Sequence, residues 1–557
     1  MNQNEQNNGR DLRELSQQLY PQGIPNPYIG PYSHPNGTPV QPNVRETGSK
    51  RDLIFSGIFF ILSLLCVNFL FYGGAGSAFA VAALGLYVGG LLYLRPHRRG
   101  GGFYMAFCIL SYVLCAFTLV LSDSSMGAFF SVTTMFGLSG ITLNEYMALR
   151  RENKGTIRCA SDWFRTQVVL PFGNIGNVFY ALFRKKSEDG TVEKRKINSV
   201  LIGLLCAVPV LLMVIPLLMG ADGAFEGMMD KIGMDGGKEL PATLIFGTAL
   251  FILIFGQHFG AKIRKQEEKQ SRSARKGMDT AFLITFLSVI ALVYVLYLVS
   301  QLAYFFNAFA GLLPKEFTVA EYARRGFFEM SAVCVINLGL LFFALLGARK
   351  KENGKEPVMI RILSVFLCLF SLVLIATAMS KMNLYILSFG MTYLRILTSV
   401  FMVFLCVVFC TMCLWIFFRK LPYMRVVVIT AVILVLGVSF ADPARVVAYY
   451  NVSAYQTGKL DSVDMDELYM LESDGVVPYV WKLTEDSDEL VKRDAWEIIC
   501  EHAATLGFFD EDGEEGSYDW RSFNFGSYRA YCLIRDNWDT IYPEACDRGY
   551  VSCDQSR

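Results

Sequence analysis

The stretch TAFLITFLSVIALVYVLYLVSQLAYFF, residues 280–306, contains no Asp, Glu, Lys or Arg over twenty-seven positions. A helix of that length rises about 40 Å, more than the ~30 Å of a bilayer's hydrocarbon core. Such a run has no place in a soluble domain of ordinary composition. It recurs along the chain. Apolar runs occupy roughly 53–73, 77–94, 103–121, 126–146, 198–219, 242–261, 280–306, 327–348, 361–379, 396–418 and 425–441. Each is continuous rather than alternating, so the runs are helices and not barrel strands. The expected fold is an all-α polytopic membrane protein of about eleven spans. The first run follows a polar tail of some fifty residues, which argues against a cleaved secretion signal.

Charge divides the chain. Its net charge is only +1, yet the segment from Asp442 onward holds 25 Asp and Glu against 10 Lys and Arg. That segment, 442–557, reads as a separate acidic domain, mostly of short helices. Lys and Arg resist translocation, so loops rich in them stay cytoplasmic. The segments 95–99, 149–197, 262–277, 349–361 and 419–425 hold 29 Lys and Arg, and the alternate connections hold seven. The N-terminus is therefore expected in the cytoplasm and the C-terminal domain outside, in a bacterial cytoplasmic membrane.

Residues 1–50 begin with Asn and Gln and continue through YPQGIPNPYIGPYSHPNGTPVQPN. That composition builds no core and reads as a disordered cytoplasmic tail. In the loop 149–197, aromatic residues lie among basic ones. It reads either as a helix in the lipid interface or as a loop packed under the bundle. Ten of the fourteen cysteines fall in membrane or cytoplasmic segments. Cys500, Cys532, Cys546 and Cys553 fall in the outer domain, where disulfides can persist, with three pairings open and free thiols the alternative.

Motifs of chemistry are scarce. His34, His97, His258 and His502 are widely separated and lack HExxH spacing, so no metal site is expected, and no cofactor. GMDGGKEL lacks the first glycine of a phosphate loop, and the acidic loop DEDGEEGSYDW lacks the glycine placement of an EF-hand. Cys406, Cys410 and Cys413 share a helix face and read as core packing. The basic residues follow membrane edges, so nucleic acid is not an expected partner. Membrane lipids are, and a partner in the cell envelope for the acidic domain is a second expectation.

One segment on the expected outer side departs from the charge rule: PKEFTVAEYARRGFFEM, residues 314–330. Thr318 and Glu321 have capping-box spacing, and Glu321, Arg325 and Glu329 fall on one helix stripe. Arg324 points off that stripe, and Arg395 opens the tenth span on the same side. Arg324, Arg325 and Arg395 are the candidate contacts for an anionic ligand, with Glu321 and Glu329 positioning Arg325. The bland alternative has these arginines reaching lipid headgroups. Asn68, Asn144, Glu145, Gln257, His258, Gln301 and Asn337 lie inside apolar runs and need partners; Gln301 and Asn337 are placed along the ligand's route.

Taken together, LPKEFTVAEYARRGFFEM, FGMTYLR, DPARVVAYYNVSAY, LDSVDMDELYMLESDGVVPYV and DWRSFN resemble a bacterial integral-membrane family catalogued as domain of unknown function 4173. The resemblance runs from the seventh span to the C-terminus. It implies a bacterial membrane protein and supplies no activity. Three functions are thus expected in turn: secondary transport or binding of an anionic, lipid-linked or small organic ligand; a non-catalytic envelope sensor or scaffold acting through the acidic domain; and a membrane-embedded lipid-modifying enzyme.

Overall fold

The computed structural model describes residues 47–149, 159–186, 192–194, 223, 239–264, 278–310, 327–348, 357–509 and 523–550. The chain divides into two compact units, Met1–Thr47 and Gly48–Arg557, and the second is described here.

Ten helices among the described residues are long and apolar enough to cross a membrane. They are α1 (Lys50–Tyr72), α2 (Ser77–Leu94), α3 (Phe103–Leu121), α4 (Ser125–Tyr146), and, after the short helices α5 (Cys159–Phe164), α6 (Leu170–Gly173) and α7 (Ile175–Phe183), α8 (Glu239–Ile263), α9 (Thr280–Ala310), α10 (Phe327–Gly347), α11 (Val358–Phe389), α12 (Tyr393–Phe417) and α13 (Tyr423–Ala441). Two three-residue strands, β1 (Arg184–Lys186) and β2 (Val192–Lys194), pair antiparallel after α7. The protein is an all-α polytopic membrane protein. Of the eleven expected spans, the run 198–219 lies outside the described residues; the other ten are helices. The largest boundary difference is α11, which continues ten residues past the expected end to Phe389. Lys381 and Asn383 interrupt its hydropathy but not its helix.

Two apolar clusters hold the bundle. The first joins α1–α4, α6–α8 and Val432 of α13. Phe251, Phe255 and Phe259 recur every four residues along α8, with consecutive ring centroids 5.8 Å apart, and meet Phe59 and Tyr93. Close approach of α8 to α1 depends on Gly247: a Cβ there would lie 2.9 Å from Leu64 Cα. The second cluster joins α9–α13. α13 contributes to both, and its Ser439 accepts from Ser131 of α4 at 3.0 Å, with Ser131 in turn on Thr118 of α3.

Ion pairs tie the helices at the end opposite the C-terminal domain. Asp52, which forms a capping box with Ser49, is 1% exposed. Lys262 Nζ lies 2.7 and 2.8 Å from its two oxygens, and the Tyr93 hydroxyl donates to Oδ1 at 2.6 Å. Arg425 pairs with Glu145 at 3.4 Å and lies over Tyr104. The segment α5–α7 packs against the bundle at this end. Trp163 donates to Gly137 O, Thr166 to Asn144, and Gln257 of α8 to Thr166 O and Gln167. The packed-loop alternative therefore describes residues 159–183, and Asn144 and Gln257 find partners there.

After Asp442 the chain forms α14 (Pro443–Gln456), α15 (Met465–Tyr469), a 3-10 turn (Asp474–Val476), α16 (Val477–Val480), α17 (Glu489–Thr505), α18 (Phe525–Asp536) and α19 (Trp538–Asp547) around their own core. These helices rest on the bundle. Asn451 accepts from Met391 N–H at 2.7 Å and donates to Met391 O at 2.8 Å, clasping the turn between α11 and α12. Gly390 in that turn has φ +77°, and a Cβ there would lie 2.7 Å from Asn451 Oδ1. Cys500, Cys532 and Cys546 are free thiols; Cys553 lies outside the described residues.

Candidate functional site

The seam between the C-terminal helices and the bundle holds a half-open chamber of about 1070 Å³. Two short turns contribute to its lining. Gly73, Gly74, Ala75 and Gly76 join α1 to α2, with Gly74 at φ +66°. Ser122, Asp123 and Ser124 join α3 to α4. Ser124 caps α4 by accepting from Gly127 N–H at 3.3 Å, and the Ser122 hydroxyl accepts from Ser124 N–H at 3.1 Å. Both serine side chains are thus committed to the turn, and Asp123 between them faces the C-terminal domain.

Asp123 is held by groups from that domain. The Ser473 hydroxyl donates to Oδ1 at 2.8 Å, Asp474 N–H donates to Oδ2, and the Ser527 hydroxyl lies 3.4 Å from Oδ2. Sequence explains these positions. Ser473 caps the 3-10 turn and accepts from Gly475 N–H; Asn524 caps α18 and accepts from Ser527 N–H at 2.8 Å. Gly526 leaves room for the approach, since a Cβ there would sit 2.9 Å from Asp123 Oδ1. Asp474 in turn meets His502 of α17, Oδ1 to Nδ1 at 2.9 Å. Burial, reinforced by the neighbouring Asp474 and then Asp442, pushes the Asp123 carboxyl up to about 6, against the pull of its hydrogen bonds from Ser473 and Asp474.

Behind this group lies Asp442, the joint between α13 and α14. It is 1% exposed, has φ +56° and pairs with Arg445 at 3.7 Å; neither carboxylate oxygen has a hydrogen bond among the described residues. Gly475 packs tightly on it: a Cβ there would lie 3.1 Å from Asp442 Oδ2 and 3.2 Å from Ser473 Oγ.

The chamber wall has two characters. Toward the bundle it is apolar, with Leu70, Leu119, Phe129 and Val132; Thr133 lies two helix turns below Ser125. Toward the domain it carries Asp123, Glu472, Asp474 and Glu501, with His502 among them and no Lys or Arg among the described residues of the lining. Low-dielectric walls around one sign of charge concentrate the opposite sign. Among the described residues no three His, Cys, Asp or Glu side chains are arranged to hold a metal ion.

Of the sequence-derived candidates, Arg395, Glu329 and Asn337 have described side chains, and these lie elsewhere. Arg324, Arg325 and Glu321 are outside the described residues. Gln301 is on α9, and its side chain is outside the described set. Arg395 donates to Phe389 O at 2.9 Å and Gly390 O at 2.6 Å and lies 4.2 Å over the Tyr385 ring. Its guanidinium closes the C-terminus of α11. Glu329 is exposed in the first turn of α10. Asn337 is fully buried, accepting from Tyr294 at 2.6 Å and donating to Ser371 at 3.0 Å, a satisfied core amide. Asn337, Arg395 and Glu329 share no partner.

Asp123, Asp442, Asp474 and His502 were not among the candidates. The signal for Asp123 was the SDSS break between two apolar runs. Asp442, Ser473 and Asp474 lie inside stretches that the sequence marks by their acidic, helical character and by their resemblance, with no sign of a site.

The sequence model of a family described as Domain of unknown function (DUF4153) matches residues 59–480. The match begins in α1 and ends in α16, so it takes in Asp123, Asp442 and Asp474 and stops before His502 and Ser527. It bears out the resemblance to a domain of unknown function, and the family it gives is 4153 and not 4173 specifically. No curated protein matches the chain, and no solved structure does.

Proposed function

The chain belongs to the family described as domain of unknown function (DUF4153), and we propose that this integral membrane protein binds a cationic solute in the chamber at the seam between its C-terminal domain and its bundle. The observation that carries the reading is the lining: among the described residues it holds four carboxylates and a histidine over an apolar floor, with no Lys or Arg. An amine or guanidinium group would meet the carboxylates while the rest of the solute covers Leu70, Phe129 and Val132. This reading draws on both leading expectations, ligand handling in the bundle and recognition by the acidic domain.

The solute would arrive from outside a bacterial cytoplasmic membrane. Supporting that side, Arg99, Lys262 and Arg425 gather at the end opposite the C-terminal domain, as the charge rule asks of a cytoplasmic face. An anionic ligand at Arg324 and Arg325 rests on residues outside the described set. Arg395, turned onto the α11 carbonyls, supports a capping role.

Thermal unfolding of the detergent-purified protein tests the proposal. Spermidine and arginine amide at millimolar concentration are expected to raise the midpoint, and phosphate and citrate are not. The gain should vanish in a Glu472→Gln, Glu501→Gln double variant and in Val132→Trp, which fills the floor. Stabilisation by the anions alone, or by amines equally in the wild type and both variants, would overturn the cationic reading.

A further inference from the structure

We infer that Asp123 is a proton-binding site that governs how tightly the C-terminal domain is held on the bundle, and with it access to the chamber. The proposal goes beyond solute binding and needs no solute. Every hydrogen bond to this carboxylate named above comes from the C-terminal domain: Ser473, Asp474 N–H and Ser527. Whatever alters Asp123 therefore alters the seam.

The groups facing it make a proton consequential. Asp474 approaches from the 3-10 turn with His502 of α17 on its far side. Asp442 approaches from the end of α13 with Arg445 beside it. Glu472 shares the chamber wall, and the Tyr393 hydroxyl of α12 reaches Ser124 at 3.5 Å. Three aspartates thus crowd one junction, with Arg445 and His502 as the flanking basic groups. The chamber brings water to Asp123, so protons can come and go. On protonation, Ser473 and the Asp474 N–H still have an acceptor, and the Ser527 hydroxyl at 3.4 Å can turn to accept the new O–H.

The sign follows from the raised affinity for a proton. Docking lifts the Asp123 carboxyl from the ordinary 3.8 to about 6, so the docked state is favoured when Asp123 is protonated. The benefit is complete below the ordinary value and is lost as pH rises through about 6. A shift of about two units sets a ceiling of ~100-fold on the docking equilibrium, of which the interval from pH 5 to pH 7.5 spans ~10-fold.

Hydrogen exchange of the full chain in nanodiscs, corrected for intrinsic rates, reads this directly. Protection of the 473–477 backbone and of α18 is expected to fall ~10-fold between pH 5 and pH 7.5, with a midpoint near 6. Asp123→Asn, neutral at every pH, should show high protection with no midpoint. His502→Gln should keep the wild-type midpoint. A flat wild-type profile, or a profile that survives Asp123→Asn and disappears in His502→Gln, would overturn the assignment.

Discussion

Replacing Lys262 by Met would leave the Asp52 carboxylate buried with only Tyr93 and Ser49 for company. In the intact protein Asp52 is 1% exposed and receives Lys262 at 2.7 and 2.8 Å, the Tyr93 hydroxyl at 2.6 Å and Ser49 N–H at 2.7 Å. Removing one member of such a buried pair costs about 3–5 kcal/mol, because the survivor keeps its desolvation penalty without its attraction. Lys262 is 15% exposed at its side chain, which lets water relieve part of that penalty and places the expected loss near ~3 kcal/mol. Asp52→Asn should cost about as much, since it strands the ammonium over the Tyr93 and Phe259 rings. The double variant has no stranded charge. It should be hardly worse than either single one, with a coupling of about 2–3 kcal/mol. The assay is reversible unfolding in mixed micelles by SDS titration, followed by tryptophan fluorescence and run as a full cycle. Strict additivity, with the double variant losing ~6 kcal/mol, would show that the pair does not hold α1 to α8 and would refute the argument.

Two other outcomes are expected. Arg395→Gln should lower the unfolding midpoint by an amount equivalent to about 1–3 kcal/mol, from loss of two charge-assisted bonds to the α11 carbonyls and of the Tyr385 contact. It should leave amine binding in the chamber unchanged in the same thermal assay. Gly90→Ala should destabilise α2 against α8 by about 1–3 kcal/mol, because the new Cβ would lie 2.3 Å from His258 Nε2; parallel substitution at Gly137, where a Cβ meets nothing within 4 Å, should be close to neutral.

The membrane fold was legible because hydrocarbon imposes a single demand, continuous apolar length, and runs such as 280–306 meet it without ambiguity. The tenth span was legible as a run from 396, while its helix starts at Tyr393, capped by the Thr392 hydroxyl, which accepts from Arg395 N–H. The partners of Arg395 were not legible, because Phe389 O and Gly390 O are backbone groups created by the preceding helix's end and carry no sequence signature. Asn337 looked like a lining residue because sequence cannot show Tyr294 and Ser371 closing around it. The chamber was invisible for a stronger reason. Asp123 and Asp474 are 351 positions apart, and only the folded seam makes them neighbours.

Helix α11 has 32 residues, which gives it about 48 Å of length where the hydrocarbon layer is ~30 Å thick. It must lean far over or stand well out of the bilayer, and the balance is set by the lipid and not by the protein alone. Its C-terminal turn at Gly390 is the point to which Asn451 clasps the C-terminal domain. A thicker bilayer draws the helix upright and a thinner one lets it tip, so the foothold of the domain moves with the thickness of the surrounding membrane.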